Sequence, residues 1–106
     1  MYFLFYSFHS FLDETAPVSV TATPSFVSQY YQTPITPIVF SVDGFASSLL
    51  FDPPIPSSLH YDSQTNSITG SIDVPGRYTF SVIASNSKGS VSSSFTILIN
   101  GMISLL

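Results

Sequence analysis

The chain has 106 residues, which is enough for one domain with its own core, yet only 8% of them are charged while 44% are apolar. Arg77 and Lys88 are the only cations and the net charge is −4, so the chain lacks the basic surface that nucleic-acid binding requires. It contains no cysteine, which excludes disulfides, thiolate metal sites and a cysteine nucleophile.

The first segment, residues 1–16, is rich in aromatic residues up to Leu12 and lacks the basic start of a secretory signal. Its apolar residues are interrupted by Ser7, His9 and Ser10, and no apolar run reaches the roughly 18–20 residues that cross a bilayer. Three interpretations stay open: a degenerate signal or anchor, an extension left by an imprecise start or by a cut from a longer chain, and an edge strand. We expect residues 17–100 to form the domain, and residues 101–106 to form a tail whose abrupt apolar end also suggests a fragment.

Short runs of β-branched and aromatic residues, separated by proline-rich and serine-rich turns, predict an all-β fold. No stretch keeps a 3.6-residue apolar period long enough for a helix. The predicted strands, in chain order, are residues 18–23, 38–42, 48–51, 59–61, 67–72, 77–84 and 90–99. About seven short strands in a chain of this length favour a β-sandwich.

The last two predicted strands carry the clearest pattern. In the first, apolar residues alternate with polar ones, so we expect the apolar ones to point inward: Tyr78, Phe80, Val82 and Ala84. Residues 86–89 then predict a turn, in which Gly89 can supply a positive φ. In the second strand the apolar residues do not alternate through residues 92–94, which predicts a β-bulge there.

Two stretches carry a resemblance to a known family. Leu59 to Gly70 (LHYDSQTNSITG) and Pro75 to Gly89 (PGRYTFSVIASNSKG) resemble, in order and spacing, motifs of the He-PIG and dystroglycan/cadherin-like group of immunoglobulin-like domains. The second stretch matches the group's pattern G-x-Y-x-F-x-V-x-A-x-N-x-x-G, and the similarity extends over residues 23–100. The chain departs from the group at residues 66–67, where Asn-Ser replaces Thr-Gly or Asn-Gly, and at the rigid residues 53–56.

The resemblance implies an immunoglobulin-like Greek-key β-sandwich, without catalytic residues or a cofactor. Tyr78 lies two residues before Phe80, which stands where disulfide-bridged immunoglobulin domains carry their second cysteine. Tyr78 is therefore expected to form a tyrosine corner, with a mostly buried ring and a hydroxyl bonded to the backbone of residues 72–76. Phe80 is expected to fill the space of the disulfide. Gly76 and Gly89 are expected to be structural residues at the corner and at the turn.

Metal binding and catalysis have little support in the sequence. The only adjacent acidic residues are Asp13 and Glu14, and no Asp-x-Asp run supplies the roughly six to eight oxygen ligands of calcium. We therefore expect no metal, with Asp13, Glu14 and Asp62 as the candidate ligands if calcium does bind. His9 and His60 lie far apart in the chain, and no nucleophile-elbow motif is present, so we expect no enzyme activity.

Three functional interpretations remain open. The first is a non-catalytic spacer or adhesion module of a larger cell-surface or secreted protein, whose partners are neighbouring immunoglobulin-like domains or a cell-surface protein or glycan. In this case the domain is associated with a membrane only through the larger parent chain. The second is a calcium- or carbohydrate-binding module appended to a larger secreted protein. The Tyr30–Tyr31 pair resembles a sugar-stacking pair, but the favoured interpretation is that the two residues alternate in and out of an early strand. The third is a truncated product without a function of its own.

Overall fold

The computed structural model describes residues 15–101, and this part of the chain folds into eight strands. The strands are β1 (Ser19–Thr23), β2 (Phe26–Tyr30), β3 (Ile38–Asp43), β4 (Ser48–Asp52), β5 (Leu59–Asp62), β6 (Ser67–Gly70), β7 (Gly76–Asn86) and β8 (Gly89–Asn100). None of the described residues belongs to a helix that is long and apolar enough to span a membrane.

The strands form two four-stranded sheets that pack as a sandwich. One sheet has the order β1-β3-β6-β5 and the other the order β2-β8-β7-β4. All strand pairs are antiparallel except β2 and β8, which run parallel. This is the order of an immunoglobulin sandwich, in which strands A, B, E and D face strands G, F and C. The predicted all-β immunoglobulin-like sandwich is therefore confirmed.

The eighth strand, β2, is not among the seven predicted ones. It follows β1 after the cis Thr23–Pro24 peptide bond, and it joins the opposite sheet. Only Val27 is fully buried in β2, while Phe26 and Tyr30 face solvent, so the strand offers little apolar alternation to detect. The predicted first strand also began too early, because Val18 precedes β1 and is 67% exposed.

The β7–β8 hairpin is regular along its whole length. Its register runs without interruption from Gly76 opposite Ile99 to Asn86 opposite Gly89, so the predicted turn at residues 86–89 is confirmed. The predicted bulge at residues 92–94 is wrong. Ser93 lies opposite the buried Val82 and occupies the inward row, so a polar residue on the inner face, rather than an extra residue, interrupts the apolar pattern.

The core lies between the two sheets and contains a cluster of aromatic rings. Phe95 is at its centre, with ring centroids 5.3 Å from Phe40, 5.4 Å from Phe80 and 6.2 Å from Phe51. The fully buried aliphatic side chains around it include Ile38, Ile68, Val82 and Ile97. Such large side chains contribute most of the apolar burial that stabilises a domain of this size.

The first and last described residues lie at opposite ends of the sandwich. The carbonyl oxygen of Thr15 accepts a 2.8 Å hydrogen bond from Asn86, the last residue of β7. Gly101 follows β8 and lies beside Pro75, since a Cβ on Gly101 would be 3.3 Å from Pro75 Cγ. Because β7 has 11 residues that rise about 3.3 Å each, the two ends are separated by about 30 Å.

Candidate functional site

An open cleft of about 510 Å³ lies on one side of the sandwich, where β4 and β5 are the edge strands of the two sheets. The loop between β3 and β4, with the start of β4, supplies one wall, and the β5–β6 side supplies the other. The lining residues are Val42, Gly44, Phe45, Ala46, Ser47, Ser48, Leu49, Tyr61, Ser63 and Asn66.

Hydrogen bonds to β7 hold the loop wall of the cleft. Asn86 Nδ2 donates to the carbonyl oxygen of Phe45 at 2.7 Å, in addition to its bond with Thr15. The backbone N–H of Ser47 donates to the carbonyl oxygen of Ser85 at 2.9 Å. The backbone of Phe45 is thus fixed, while its side chain is 59% exposed. The loop therefore presents an aromatic ring from a well-anchored backbone.

Asn66 organises the opposite wall. Its φ of 56° is in the left-handed region, which asparagine tolerates better than most residues. Its Nδ2 donates to the carbonyl oxygen of Phe40 at 2.7 Å, and the Phe40 N–H donates to the carbonyl oxygen of Asn66 at 2.9 Å. The hydroxyl of Tyr61 donates to Asn66 Oδ1. These bonds hold Asn66 in place at the turn where Ser67 replaces the glycine of the motif.

The lining of the cleft is uncharged. It consists of aliphatic and aromatic side chains, three serine hydroxyls and one amide. Burial raises the pKa of Tyr61 above its ordinary value of 10.0, and the nearby Asp62 carboxylate raises this pKa further. The phenol therefore keeps its proton at neutral pH, which preserves its hydrogen bond to Asn66. Such a surface offers neutral hydrogen-bonding groups beside an exposed aromatic ring.

Tyr78 lies outside the cleft, at the start of β7. Its hydroxyl donates to the carbonyl oxygen of Val74 at 2.6 Å, a residue within the predicted stretch 72–76. The ring is only half-buried, which is less than the sequence analysis expects. A Cβ on Gly76 would lie 3.6 Å from this ring, so the glycine brings the backbone close to the tyrosine. The geometry is that of a tyrosine corner.

Phe80 packs in the core, and Gly89 lies against Ala16. The Phe80 side chain is 3% exposed, and its ring stacks on Phe95 with an interplanar angle of 24°. Gly89 ends the β7–β8 turn, and a Cβ there would approach the Cβ of Ala16 to 3.0 Å. These contacts belong to the core and to the packing of residues 15–16 on the hairpin.

Of the three candidate calcium ligands, Asp62 alone belongs to the described residues. Asp62 is exposed, and its Oδ1 accepts a 2.8 Å hydrogen bond from the N–H of Gln64 within its own turn. Asp13 and Glu14 lie outside residues 15–101, as does His9. Within that range no three His, Asp or Glu side chains are grouped as a metal site.

His60 points to solvent between the inward residues Leu59 and Tyr61, as its position in the strand predicts.

The cleft was not predicted from the sequence. The favoured interpretation of the Tyr30–Tyr31 pair agrees with the structure, because Tyr30 is 52% exposed at the end of β2 while Tyr31 packs partly against the core. A weak signal for the cleft is present at Gly44 and Phe45. The glycine, with a φ of 101°, ends β3 and is followed by an aromatic residue that no strand pattern places inward.

The chain matches one family model and is similar to parts of larger solved structures. The family model described as "Putative Ig domain" matches residues 10–100. No curated protein matches the chain. Among solved structures, the chain is similar to two proteins of Bacteroides fragilis NCTC 9343, described as "a putative alpha-galactosidase" and "a putative alpha-galactosidase/melibiase".

The identities to these two structures are 25% and 24%, with a TM-score of 0.59 in each case. Both alignments cover 82% of this chain and 18% of the other. The chain therefore spans less than a fifth of the length of these proteins, and the similarity concerns one part of a larger chain.

Proposed function

The chain belongs to the "Putative Ig domain" family, and we propose that it is a non-catalytic module of a larger cell-surface or secreted protein, in which it acts as a spacer. The position of its two ends carries this proposal. The described part of the chain begins at Thr15, beside Asn86, and ends at Gly101, beside Pro75. These two positions lie at opposite ends of β7. A module built in this way separates its neighbours by its own length, about 30 Å.

The similarity to larger proteins supports the same role. The match to a protein described as an alpha-galactosidase covers only 18% of that protein, so an immunoglobulin-like module of this kind accompanies other domains there. A spacer in such a protein needs a stable sandwich and accessible ends rather than reactive groups. We propose the same arrangement, an appended module between neighbouring domains, for the parent of this chain.

The pairing of β2 with β8 also suits a spacer. These strands are parallel, with Phe26 opposite Thr96 and Tyr30 opposite Asn100. A force that pulls the two ends of the chain apart draws β2 and β8 in opposite directions. The interstrand hydrogen bonds are then loaded together in shear, rather than one after another.

Single-molecule force spectroscopy tests this proposal. Because the chain has no cysteine, Thr15→Cys and Gly101→Cys provide specific attachment points for pulling from end to end of the described sandwich. We expect one cooperative unfolding step. As a control, Asp73→Cys with Gly101→Cys attaches both handles at the same end of the β7–β8 hairpin, so that its bonds break successively at a lower force.

The comparison of the two pulling directions decides the outcome. A markedly higher force in the end-to-end direction supports a spacer that resists tension. Equal forces, or a lower force from end to end, contradict the proposal, because a module that yields first along its own axis does not maintain the distance between its neighbours.

A further inference from the structure

We propose that the cleft between the β3–β4 loop, β4 and β5 binds a neutral saccharide. The chemistry of its lining is the first argument. Ser47, Ser48 and Ser63 contribute hydroxyls, which both donate and accept hydrogen bonds, as sugar hydroxyls do. Ser47 Oγ donates to the Ser85 carbonyl oxygen at 3.3 Å and Ser48 Oγ lies 2.9 Å from Ser85 Oγ, so these two hydroxyls face a ligand chiefly as acceptors. Phe45 contributes an exposed ring, and an apolar ring face complements the C–H face of a sugar. Sites for small ligands combine apolar and aromatic walls with a few polar groups in this manner.

The uncharged lining of the cleft and the negative net charge of the chain limit the class of ligand that the cleft can bind. No lining residue is a cation, since Arg77 and Lys88, the only two in the chain, lie outside the cleft. The net charge of −4 repels phosphorylated, sulfated or carboxylated ligands. No lining residue is a carboxylate that would attract a cation either. A neutral, hydroxylated ligand is the class that remains.

The walls of the cleft are already organised for binding. Asn86 and Ser85 fix the loop that carries Phe45, and Asn66 joins Tyr61 to the backbone of Phe40. Ordering of mobile segments is a principal cost of association, and pre-formed walls reduce it. The volume of about 510 Å³ also falls in the range of roughly 300–1,000 Å³ that ligand pockets occupy.

The other exposed phenylalanine and tyrosine of residues 15–101 lack these surroundings. Phe26 is 47% exposed and Tyr30 is 52% exposed, but both are on β2, the edge strand opposite β4 in the same sheet. Neither lines the cleft. Phe26 therefore provides a matched control for Phe45, because both side chains are exposed phenylalanines in the same domain.

Nuclear magnetic resonance titration of the full chain, labelled with ¹⁵N, tests the proposal. The probes are lactose, maltotriose and cellotriose, with trigalacturonic acid as the anionic comparison. We expect at least one neutral sugar to shift the amide signals of Phe45, Ser47, Tyr61 and Ser63 in a saturable manner. We expect trigalacturonic acid to cause smaller shifts, because it carries carboxylates.

Two variants then locate the site. Phe45→Ala should weaken binding about tenfold, which corresponds to about 1.4 kcal/mol, while Phe26→Ala should leave the affinity unchanged. Both substitutions remove an exposed ring, so thermal melts should show that both variants remain folded. The proposal is overturned if no neutral sugar shifts the cleft signals at tens of millimolar. It is also overturned if Phe45→Ala leaves the affinity unchanged, or if Phe26→Ala weakens binding as much as Phe45→Ala does.

Discussion

The hydroxyl of Tyr78 donates a 2.6 Å hydrogen bond to the carbonyl oxygen of Val74, four residues earlier in the chain. This bond ties the start of β7 to the segment that enters it. Between the two residues lies Gly76, whose backbone is close to the Tyr78 ring. The corner thus orients β7, the strand that pairs with both β4 and β8.

Replacing Tyr78 with phenylalanine tests the strength of this corner. Tyr78→Phe keeps the ring and removes only the hydroxyl, so we expect a loss of about 1 kcal/mol in the free energy of unfolding. The half-exposed position of the ring places the effect below that of a fully buried hydrogen bond, because water can reach the Val74 carbonyl. Urea denaturation measures the loss, with Tyr30→Phe as the control at an exposed tyrosine. Equal losses in the two variants would show that the corner contributes nothing specific.

Substitutions on the inward and outward sides of β7 test the register of this strand. Phe80→Ala leaves a cavity beside Phe95 and should cost about 3–5 kcal/mol. Thr79 is exposed, with its hydroxyl 3.1 Å from that of Thr96, and Thr79→Ala should change stability by no more than about 0.5 kcal/mol. Chemical denaturation of both variants checks the order of these effects. A larger loss at Thr79 would require the opposite register for β7.

The sequence predicted the long hairpin well for a physical reason. Inward and outward residues alternate with a period of two, and β7 is long enough for that period to be visible at Phe80, Val82 and Ala84. For β2 the sequence indicated only an early strand at Tyr30 and Tyr31, without its bounds, because the strand contributes one fully buried side chain, Val27. The serine at position 93 was attributed to a bulge, because a local pattern does not reveal whether a polar residue faces inward.

The cleft was not predictable from local patterns. Its walls are separated in the chain, since Phe45 precedes β4 while Tyr61 and Asn66 belong to the β5–β6 region. They come together only because β4 and β5 are the edge strands on the same side of the two sheets. The hydrogen bonds of Asn66 to Phe40 and Tyr61 likewise depend on tertiary structure. The sequence showed residues 66–67 as a departure from a motif, since Ser67 stands in place of a glycine, but it gave no indication of the bonds that Asn66 makes.

Ser93 offers a prediction that increases stability. Its hydroxyl oxygen is buried and has no hydrogen-bond partner among residues 15–101, and the residue faces inward opposite Val82. A buried hydroxyl without a partner carries a desolvation penalty of about 1–3 kcal/mol. Ser93→Ala should therefore raise the free energy of unfolding by up to about 1 kcal/mol, after the loss of some packing. Ser92→Ala, on the exposed side of the same strand, is the control and should stay within about 0.5 kcal/mol of the wild type.

Asn86 joins three segments, and the direction of its hydrogen bonds can be tested. Its Nδ2 donates to Thr15 and Phe45, while its Oδ1 accepts from the N–H of Lys88 at 2.8 Å. Asn86→Asp preserves the shape and the acceptor, but it places an anionic oxygen against two carbonyl oxygens. We expect a loss of about 1–3 kcal/mol at pH 7.

Acidification distinguishes this electrostatic effect from a packing defect. When the carboxyl group that Asn86→Asp introduces is protonated, it can donate one hydrogen bond again, so the gap in stability between variant and wild type should narrow at low pH. Denaturation curves at several pH values measure this gap. A gap that does not depend on pH would indicate that the two carbonyl bonds are not the source of the loss.

The raised pKa of Tyr61 predicts how stability responds to alkaline pH. Burial is the main cause of the raised pKa, and the Asp62 carboxylate adds to it, so the folded state holds the phenolic proton more tightly than the unfolded chain does. The unfolded chain begins to lose this proton near its ordinary pKa of 10.0, while the folded state retains it. Because the unfolded state then binds fewer protons, the free energy of unfolding falls as the pH rises above about 10.

The variant Tyr61→Phe isolates this contribution. At neutral pH it should be less stable than the wild type by about 1 kcal/mol, because Asn66 Oδ1 loses its donor. As the pH rises above about 10, the wild type loses stability through the partly buried Tyr61 phenol, which the variant lacks, so the difference between them should shrink. The other tyrosines are common to both proteins and cancel in this comparison. Urea denaturation at a series of pH values from about 7 to about 11 measures the difference. If it stays constant over this range, the Tyr61 phenol is not desolvated in the folded state, and the wall of the cleft that it forms is open to water.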